Sequence, residues 1–428
     1  MCYDAEMSLP AARWDVAVIG GGPAGMMAAG RAAEKGASVI LLEKNPILGK
    51  KLLITGGGRC NITNAEADTK VLLAKYGEAG KYLASPFAAF SSPEAIAFFE
   101  SRGMPIKIEN EKRAFPITEK AEAVRDTLKG YLEDGGVTVE TRSPVVGLVM
   151  EQGSIASARL RDGTFIDTRA FVLATGGKSR PETGSTGDGF KWLSELGHTV
   201  RTADAALVPI SVHDGWVTRA AGTSLADAKV TLFQYEKKLK SFRGKVLITH
   251  EGLSGPAILN ASREIGEFLQ YGDVVIDIDI VPDAGYEKVN ALLQKIFKEN
   301  ATKMLKNSLK PIAPPALVPV ILQMAQIDGE KTCTAVTRDE RVRLMKLVKH
   351  IPVSVKGLLG LEKAVVTSGG VTLDEIDTRS MRSRLIRNLS LVGDVLDVNR
   401  PSGGYSLQLA WTTGRLAGEY AYTAHENV

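Results

Sequence analysis

Six consecutive residues near the start of the sequence, Gly20-Gly21-Gly22-Pro23-Ala24-Gly25, have the types and spacing to hold a pyrophosphate. Gly20 permits a tight turn, Gly22 lets backbone approach the phosphates, and Gly25 lets a helix pack closely on a strand. The phosphates would rest on the positive N-terminus of the helix that Pro23 and Ala24 open. A glycine triplet alone is weak evidence, so its surroundings matter. WDVAVIG (14–20) reads as a buried strand, PAGMMAAGRAAEKG (23–36) as an alanine-rich helix ended by Gly36, and ASVILLEK (37–44) as a second strand. Together they make a βαβ unit of about thirty residues. Ala29 and Ala33 continue the sheet-facing side of the helix. Glu43 closes the second strand, with Lys44 beside it. A carboxylate about 20 residues beyond the glycines accepts the ribose hydroxyls of an adenine nucleotide and repels a 2′-phosphate.

Two later strand ends point to FAD rather than NAD as the nucleotide. AFVLATGG (170–177) is a buried strand ending in the small residues Ala174, Thr175 and Gly176, which would pass close to a dinucleotide. LSLVGDVLD (389–397) ends in Gly393-Asp394, where a carboxylate could hold the hydroxyls of a ribityl chain. The turn SGGYSLQLA (402–410) then starts a helix at Gly404, Tyr405 and Ser406. Its N-terminus suits the N1/C2=O side of a flavin, where reduction gathers negative charge. Val145, in the strand region 137–151, is taken as a further cofactor contact. Only one dinucleotide fingerprint occurs, so a bound FAD takes it, and NADH or NADPH, if used, enters elsewhere.

The elements that must position these residues fall into two textures. Strand and helix alternate through the first half, with helices around 92–103 and 120–136 and strands over 137–151, 154–163 and 170–177. From about residue 206, alternating and β-branched runs separated by turns suggest a small barrel or sandwich. Helical segments follow at 286–300, 314–327 and 337–351, and the first texture returns near 365. The sequence therefore predicts an α/β protein with a discontinuous outer domain (1–205 and 365–428), an inserted β domain (206–284 and 352–364) and a helical subdomain (285–351). The 428 residues leave room for two or three domains.

Composition bounds the partners. Hydrophobic residues make up 44% and charged residues 24%, as in globular proteins with filled cores. A net charge of +4 without a dense basic run argues against a nucleic-acid partner. The longest apolar run, 313–322, is too short and proline-rich to span a bilayer. The opening MCYDAEMSLP lacks the pattern of a signal peptide. Cys2, Cys60 and Cys333 are odd in number and far apart, which argues against a disulfide framework. A cytoplasmic protein with a small-molecule substrate is expected; its oligomeric state stays open.

Taken together, these motifs resemble the bacterial NAD(P)/FAD-dependent oxidoreductases of the BaiN/YhiN type, some of them described as aminoacetone oxidases. The resemblance rests on GGGPAG (20–25), GKKLLITGGGRCNITN (49–64), RAFPIT (113–118), LATGGKSRPETGSTGDG (173–189), LITHEGLSGPAIL (247–259), TSGGV (367–371) and GDVLDVNRPSGGYSLQLAWTTGRLAG (393–418). It implies an FAD domain of the glutathione-reductase superfamily interrupted by a β-barrel and a helical subdomain. Asp394 stands where many relatives would have Glu. The segment 49–64 would then lie along an extended, non-covalently held FAD. Lys50, Lys51 and Arg59 offer donors to the pyrophosphate, and Gly57 and Gly58 allow close backbone approach, with Cys60 and Asn61 next in line. The superfamily's disulfide reductases pair such a cysteine with another after four intervening residues. That position here is Ala65, so Cys60 has no resolving partner and reads as a packing residue.

Catalytic candidates are fewer. THEGLSGP (249–256) places His250, Glu251 and Ser254 in a glycine-bounded loop before a helix, with His250 as proton donor to a substrate. An N-capped helix beside a surface histidine would have the same sequence. His198, His213, His350 and His425 have no comparable setting, and no metal-ligand spacing or Ser-His-Asp motif stands out. In the 182–190 loop, Thr186 and Asp188 could serve a flavin or simply form turns. The expected activity is hydride transfer through flavin N5, either to an unsaturated or carbonyl-containing substrate or, as an oxidase, from an amine to O2. A flavin-containing binding protein without catalysis is the remaining alternative.

Overall fold

The computed structural model describes residues 14–360, 362–364 and 366–422. Cys2, the opening decapeptide and His425 lie outside the described residues. The chain divides into two compact units, Met1–Asp204 with Val366–Val428, and Ala205–Val365.

The first unit is built on a parallel sheet. Trp14–Ile19 lies between Val39–Glu43 and Phe165–Leu173, with Val16 in register with both Val39 and Ala170. Thr138–Thr141 extends the sheet beyond Val39–Glu43, and Leu389–Leu391 extends it beyond Phe165–Leu173. The innermost strands carry runs such as Val16, Ala17, Val18 and Ile40, Leu41, Leu42, all buried, because helices cover both faces of such a sheet. Val145–Glu151 and Ser154–Leu160 form an antiparallel ribbon against Phe165–Leu173. The expected α/β class with a Rossmann-like core is what the chain adopts.

Helix Pro23–Glu34 packs against helix Tyr405–Tyr420 at unusually short range. A Cβ on Gly414 would stand 2.3 Å from the Ala24 carbonyl oxygen, and one on Gly418 would stand 2.3 Å from that of Ala28. Gly25 serves the opposite side, where its Cβ would fall 1.9 Å from the Gly20 oxygen. Small residues at these points are thus a packing requirement.

Two parts of this unit escape sequence reading. Thr69–Ala74 and Gly80–Ala89 are helices, the latter with Pro86 inside it, a residue that ordinarily argues against a helix interior. Thr63–Asn64, Arg113–Pro116 and Ile106–Glu109 form a three-stranded sheet too short to show a period-two pattern.

The second unit contains a closed antiparallel barrel. Around it run Ile210–Val212, Gly252–Ser254, Lys237–Ile248, Ser224–Gln234, Val275–Asp279 and Ile351–Leu358. Burial alternates along its last strand: Ile351, Val353 and Val355 point inward while Pro352, Ser354 and Lys356 are exposed. Helix Pro256–Leu269 packs on the barrel strands through Ala257, Ile258, Ala261 and Ile265. Helices Tyr286–Glu299, Leu305–Ser308, Val318–Met324 and Arg338–Lys349 follow one another between the fifth and sixth barrel strands. The helix expected over 314–327 is only seven residues long, because Pro314, Pro315 and Pro319 confine it.

Candidate flavin site

The glycine turn at 20–25 joins the first strand to its helix as its sequence demands. Gly20 has φ +110°, and a side chain there would collide with the Ala174 carbonyl at 2.4 Å. Gly22 faces open space, with nothing within 4 Å of its Cβ direction. Helix Pro23–Glu34 starts with Pro at its first position, no side-chain cap and no acidic residue in its first turn. Its positive end is therefore left for an anion.

Glu43 is buried at the end of its strand and directed at this turn. Its Oε2 accepts the Gly21 N–H at 2.7 Å, and its Oε1 accepts the Asn45 backbone and side-chain N–H groups, each at 2.7 Å. An ionised carboxylate has about four acceptor positions, so lone pairs remain for ribose hydroxyls. The Glu43 and Asn45 carbonyls hold the segment before Val145 through the Ser143 and Arg142 N–H groups, both at 3.0 Å. Val145 itself is buried at the start of its strand.

The segment 55–60 is a wound loop closed by the Cys60 N–H on the Thr55 carbonyl at 3.1 Å. Gly56, Gly57 and Gly58 all have positive φ, and Gly57 and Gly58 have nothing within 4 Å of a Cβ. Three consecutive left-handed residues explain the glycine triplet. Cys60 also has positive φ, is fully buried, and burial pushes its thiol up to about 12 against a weaker hydrogen bond from Thr55. Such a thiol is inert at neutral pH. Arg59 stacks on Phe115, 4.1 Å from the ring centroid, and its Nη2 pairs with Glu109 and Glu119.

Lys44, Lys50 and Lys51 all reach the loop that follows Gly176. Lys44 Nζ lies 2.7 Å from both Thr186 Oγ1 and Asp188 Oδ2, Lys50 Nζ donates to the Glu182 carbonyl at 2.6 Å, and Lys51 Nζ donates to Ser179 Oγ at 2.6 Å. Thr186 and Asp188 thus have own-chain partners.

Lys51 also stands 3.6 Å from Asp394 Oδ2, while the Arg400 guanidinium pairs with Asp394 Oδ1. Burial alone would raise the Asp394 carboxyl, but Arg400 and then Lys51 outweigh it and hold the group below the usual carboxylate range. Burial draws the Lys51 ammonium down, against the opposing pull of Asp394. Arg400, which sequence reading passed over, is itself buried; it donates Nε to Ser406 Oγ at 3.0 Å and Nη1 to the Val398 carbonyl at 2.6 Å. Its position between two glycine-bearing motifs was the available signal.

The turn before the last helix is pressed against the 55–64 loop. Gly404 has φ +101°, and a Cβ there would lie 2.3 Å from the Thr63 carbonyl carbon. Trp411 Nε1 donates to the Ile62 carbonyl at 2.9 Å, and Tyr76 Oη donates to that of Tyr405 at 2.9 Å. Gly393 packs on Ala24 and its N–H is held by Thr413 Oγ1 at 3.1 Å. The first unit thereby collects the glycine turn, Glu43, the 55–61 loop, Gly176, Asp394 and Ser406.

These residues fit an FAD. Asn61 Oδ1 and Thr175 Oγ1 are buried without a hydrogen-bond partner, as expected of groups that serve a ligand. Gly22, Gly57 and Gly58 leave open space on their Cβ sides, and a capless helix end supplies the positive pole. Among the described residues no group of three His, Cys, Asp or Glu could hold a metal ion, and no helix is long and apolar enough to cross a membrane.

His250 lies in the second unit, exposed on the turn between Lys237–Ile248 and Gly252–Ser254. Its carbonyl accepts from Thr218 Oγ1 at 3.2 Å, and its imidazole has no hydrogen-bond partner among the described residues. Ser254 stands in register opposite Leu247. His350 lies between Asp277 Oδ2 and Tyr286 Oη, 2.5 Å from each.

One constellation was invisible in sequence. Buried His198 has Glu375 Oε2 2.8 Å from Nδ1 and Ser383 Oγ 3.0 Å from Nε2, the order of a Ser-His-carboxylate triad. Ser383 Oγ also accepts the Leu385 and Ile386 N–H groups at 3.0 and 2.9 Å. A buried oxygen with its lone pairs so committed is a structural staple, not a nucleophile.

The parallel sheet, fingerprint turn and carboxylate-tipped strand define a Rossmann-type flavoprotein. Residues 14–420 match the family model described as HI0933-like protein Rossmann domain, and the chain belongs to that family of FAD-binding oxidoreductases. It is 30% identical over 410 residues to a 3-dehydro-bile acid delta(4,6)-reductase from Clostridium scindens, covering 95% of this chain and 98% of that one. It is 30% identical over 408 residues to the ribosomal RNA dihydrouridine synthase of Escherichia coli K12, covering 94% and 96%. Among solved structures, the 3-ketosteroid-delta4-(5alpha)-dehydrogenase of Rhodococcus jostii RHA1 shares the fold with a TM-score of 0.55, 17% identity and 98% coverage of both chains.

Proposed function

We propose that the protein is an FAD-dependent reductase that saturates a ring C=C conjugated to a carbonyl, with NADH or NADPH as electron source. The observation that carries this reading is a chemistry common to two relatives matched nearly end to end. A delta(4,6)-reductase of 3-oxo steroids and a dihydrouridine synthase are both named for saturating a double bond in conjugation with a carbonyl. When bound, FAD supplies a two-electron carrier that gives and receives hydride at N5.

The chain's own residues would divide the work. Glu43 and the helix start at Pro23 bind the adenosine and pyrophosphate end. Asn61, Thr175, Asp394 and Ser406 are the groups we assign to the rest of the cofactor. Hydride arriving at the β carbon of an enone leaves charge on the carbonyl oxygen, and a proton must reach the α carbon. His250, with a free imidazole, is assigned to that proton transfer.

Both a steroid-like ketone and a uracil ring in RNA remain in the substrate class. The mild overall charge hides a local surplus, since residues 285–351 hold 12 Lys and Arg against 6 Asp and Glu. That surplus favours keeping RNA among the substrates tested.

The test is anaerobic reduction of the FAD-loaded protein by NADH or NADPH, followed by addition of a 3-oxo-delta(4) steroid or of uridine-containing RNA. Reoxidation by either, with product saturated at the ring, supports the proposal. Reoxidation by O2 alone, after reduction by an amine, would establish the oxidase instead.

A further inference from the structure

The Arg400 guanidinium has all three nitrogens engaged inside the first unit: Nε on Ser406, Nη1 on the Val398 carbonyl and Nη2 on Asp394. Its side chain is 1% exposed. This fork fixes two residues assigned above to FAD, one at a strand end and one in the first turn of a sixteen-residue helix. The Arg400 guanidinium pairs with the Asp394 carboxylate and offsets that charge. Lys51, 3.6 Å from the same carboxylate and donating to Ser179 Oγ, then leaves the cluster with two basic groups to one acidic group. A surplus of basic groups held partly out of water is unfavourable unless an anion compensates it. FAD brings such anions: its pyrophosphate in both redox states, and the N1 side of the ring after reduction.

We propose that Arg400 is a positioning residue of the flavin site: it holds Asp394 and Ser406 in place and gives the Lys51–Asp394–Arg400 cluster the surplus of basic over acidic groups that favours reduced, anionic FAD over oxidised FAD. This rests on the reading of the first unit as an FAD site, which the flavin content of the purified protein checks separately.

Charge changes of opposite sign make the test. In the FAD-loaded protein, the midpoint potential of the bound flavin is measured by equilibration with a reference dye. Arg400→Gln removes a positive charge and should weaken binding of reduced FAD about tenfold relative to oxidised FAD, a fall of about 30 mV for a two-electron couple. Asp394→Asn removes a negative charge and should move the potential upward. Arg400→Lys keeps the charge but loses the fork, so its potential should stay nearer wild type while FAD dissociates faster. Potentials unchanged in Arg400→Gln and Asp394→Asn, or shifted in the same direction in both, would overturn the proposal. If Arg400→Gln does not fold, Asp394→Asn decides alone: a rise supports the proposal, and no change or a fall refutes it.

Discussion

Glu43 reaches back across the chain to the turn it faces, its Oε2 accepting the Gly21 N–H at 2.7 Å. The carboxylate we assign to the ribose and the turn we assign to the pyrophosphate are therefore one hydrogen-bonded unit. Glu43→Ala removes a buried charged acceptor worth about 1–3 kcal/mol, roughly 5- to 150-fold in Kd. Fluorescence titration of the apoprotein with FAD measures it; an unchanged Kd would remove Glu43 from the site.

Gly22 and Gly25 should respond differently to the same substitution. Gly22→Ala meets nothing within 4 Å and has an ordinary φ of −81°, so the protein should fold with little change in Tm. Its new methyl would occupy the space where the pyrophosphate approaches, and FAD affinity should fall tenfold or more. Gly25→Ala drives a Cβ to 1.9 Å from the Gly20 oxygen and should destabilise the protein by about 1–3 kcal/mol or more. Thermal denaturation beside FAD titration separates the two. Equal effects on both readouts would count against the open space being the phosphate site.

Cys60 gives a pH prediction. Burial raises the thiol from 9.0 to about 12, so the folded state disfavours the thiolate that the unfolded chain forms. Its contribution to stability is intact below pH 9 and is lost progressively as pH rises from about 9 to 12. The slope is roughly 1.4 kcal/mol per pH unit for one proton. Denaturant midpoints between pH 8 and 10.5 should fall more steeply for wild type than for Cys60→Ala. Cys60→Ser should keep its flavin and most of its turnover, because among the described residues no partner thiol is placed to form a disulfide. Activity lost with flavin retained would make the thiol catalytic.

His250→Ala should leave FAD binding intact and slow turnover by roughly 10²-fold, the usual contribution of a general acid. Stopped-flow reoxidation of the reduced protein by substrate is the deciding measurement. A wild-type rate would return His250 to the role of a surface residue and send the search for a proton donor elsewhere.

What sequence could reveal follows from which interactions are local. The fingerprint turn, Glu43 at its strand end and the turn at Gly393-Asp394 were readable as structure because each is built from neighbours within a few residues. The barrel was readable from the alternating and β-branched runs that begin near residue 206, such as the one that becomes Val275–Asp279. Arg400 was not, since its meaning comes from Asp394 and Ser406 closing around it in three dimensions. The Ser383–His198–Glu375 staple spans 185 residues between its serine and histidine, beyond any motif. Lys50 and Lys51 have the chemistry of phosphate donors, yet together with Lys44 they hold the 179–188 loop by contacts of the same kind.

The division of the first unit has a consequence for biosynthesis. Strand Phe165–Leu173 is made before residues 205–365, whereas its neighbour Leu389–Leu391 is made after them. At roughly 5–20 residues per second, the 215 residues between Leu173 and Leu389 take on the order of 10–40 seconds. For that interval an apolar sheet edge on the ribosome awaits its partner, while the six barrel strands between Ile210 and Leu358 already have theirs. Asp394, Arg400 and Ser406 come later still. On the cofactor roles proposed here, capture falls among the last events in maturation, and a nascent chain stalled before residue 389 would carry a finished barrel and a sheet edge open to aggregation.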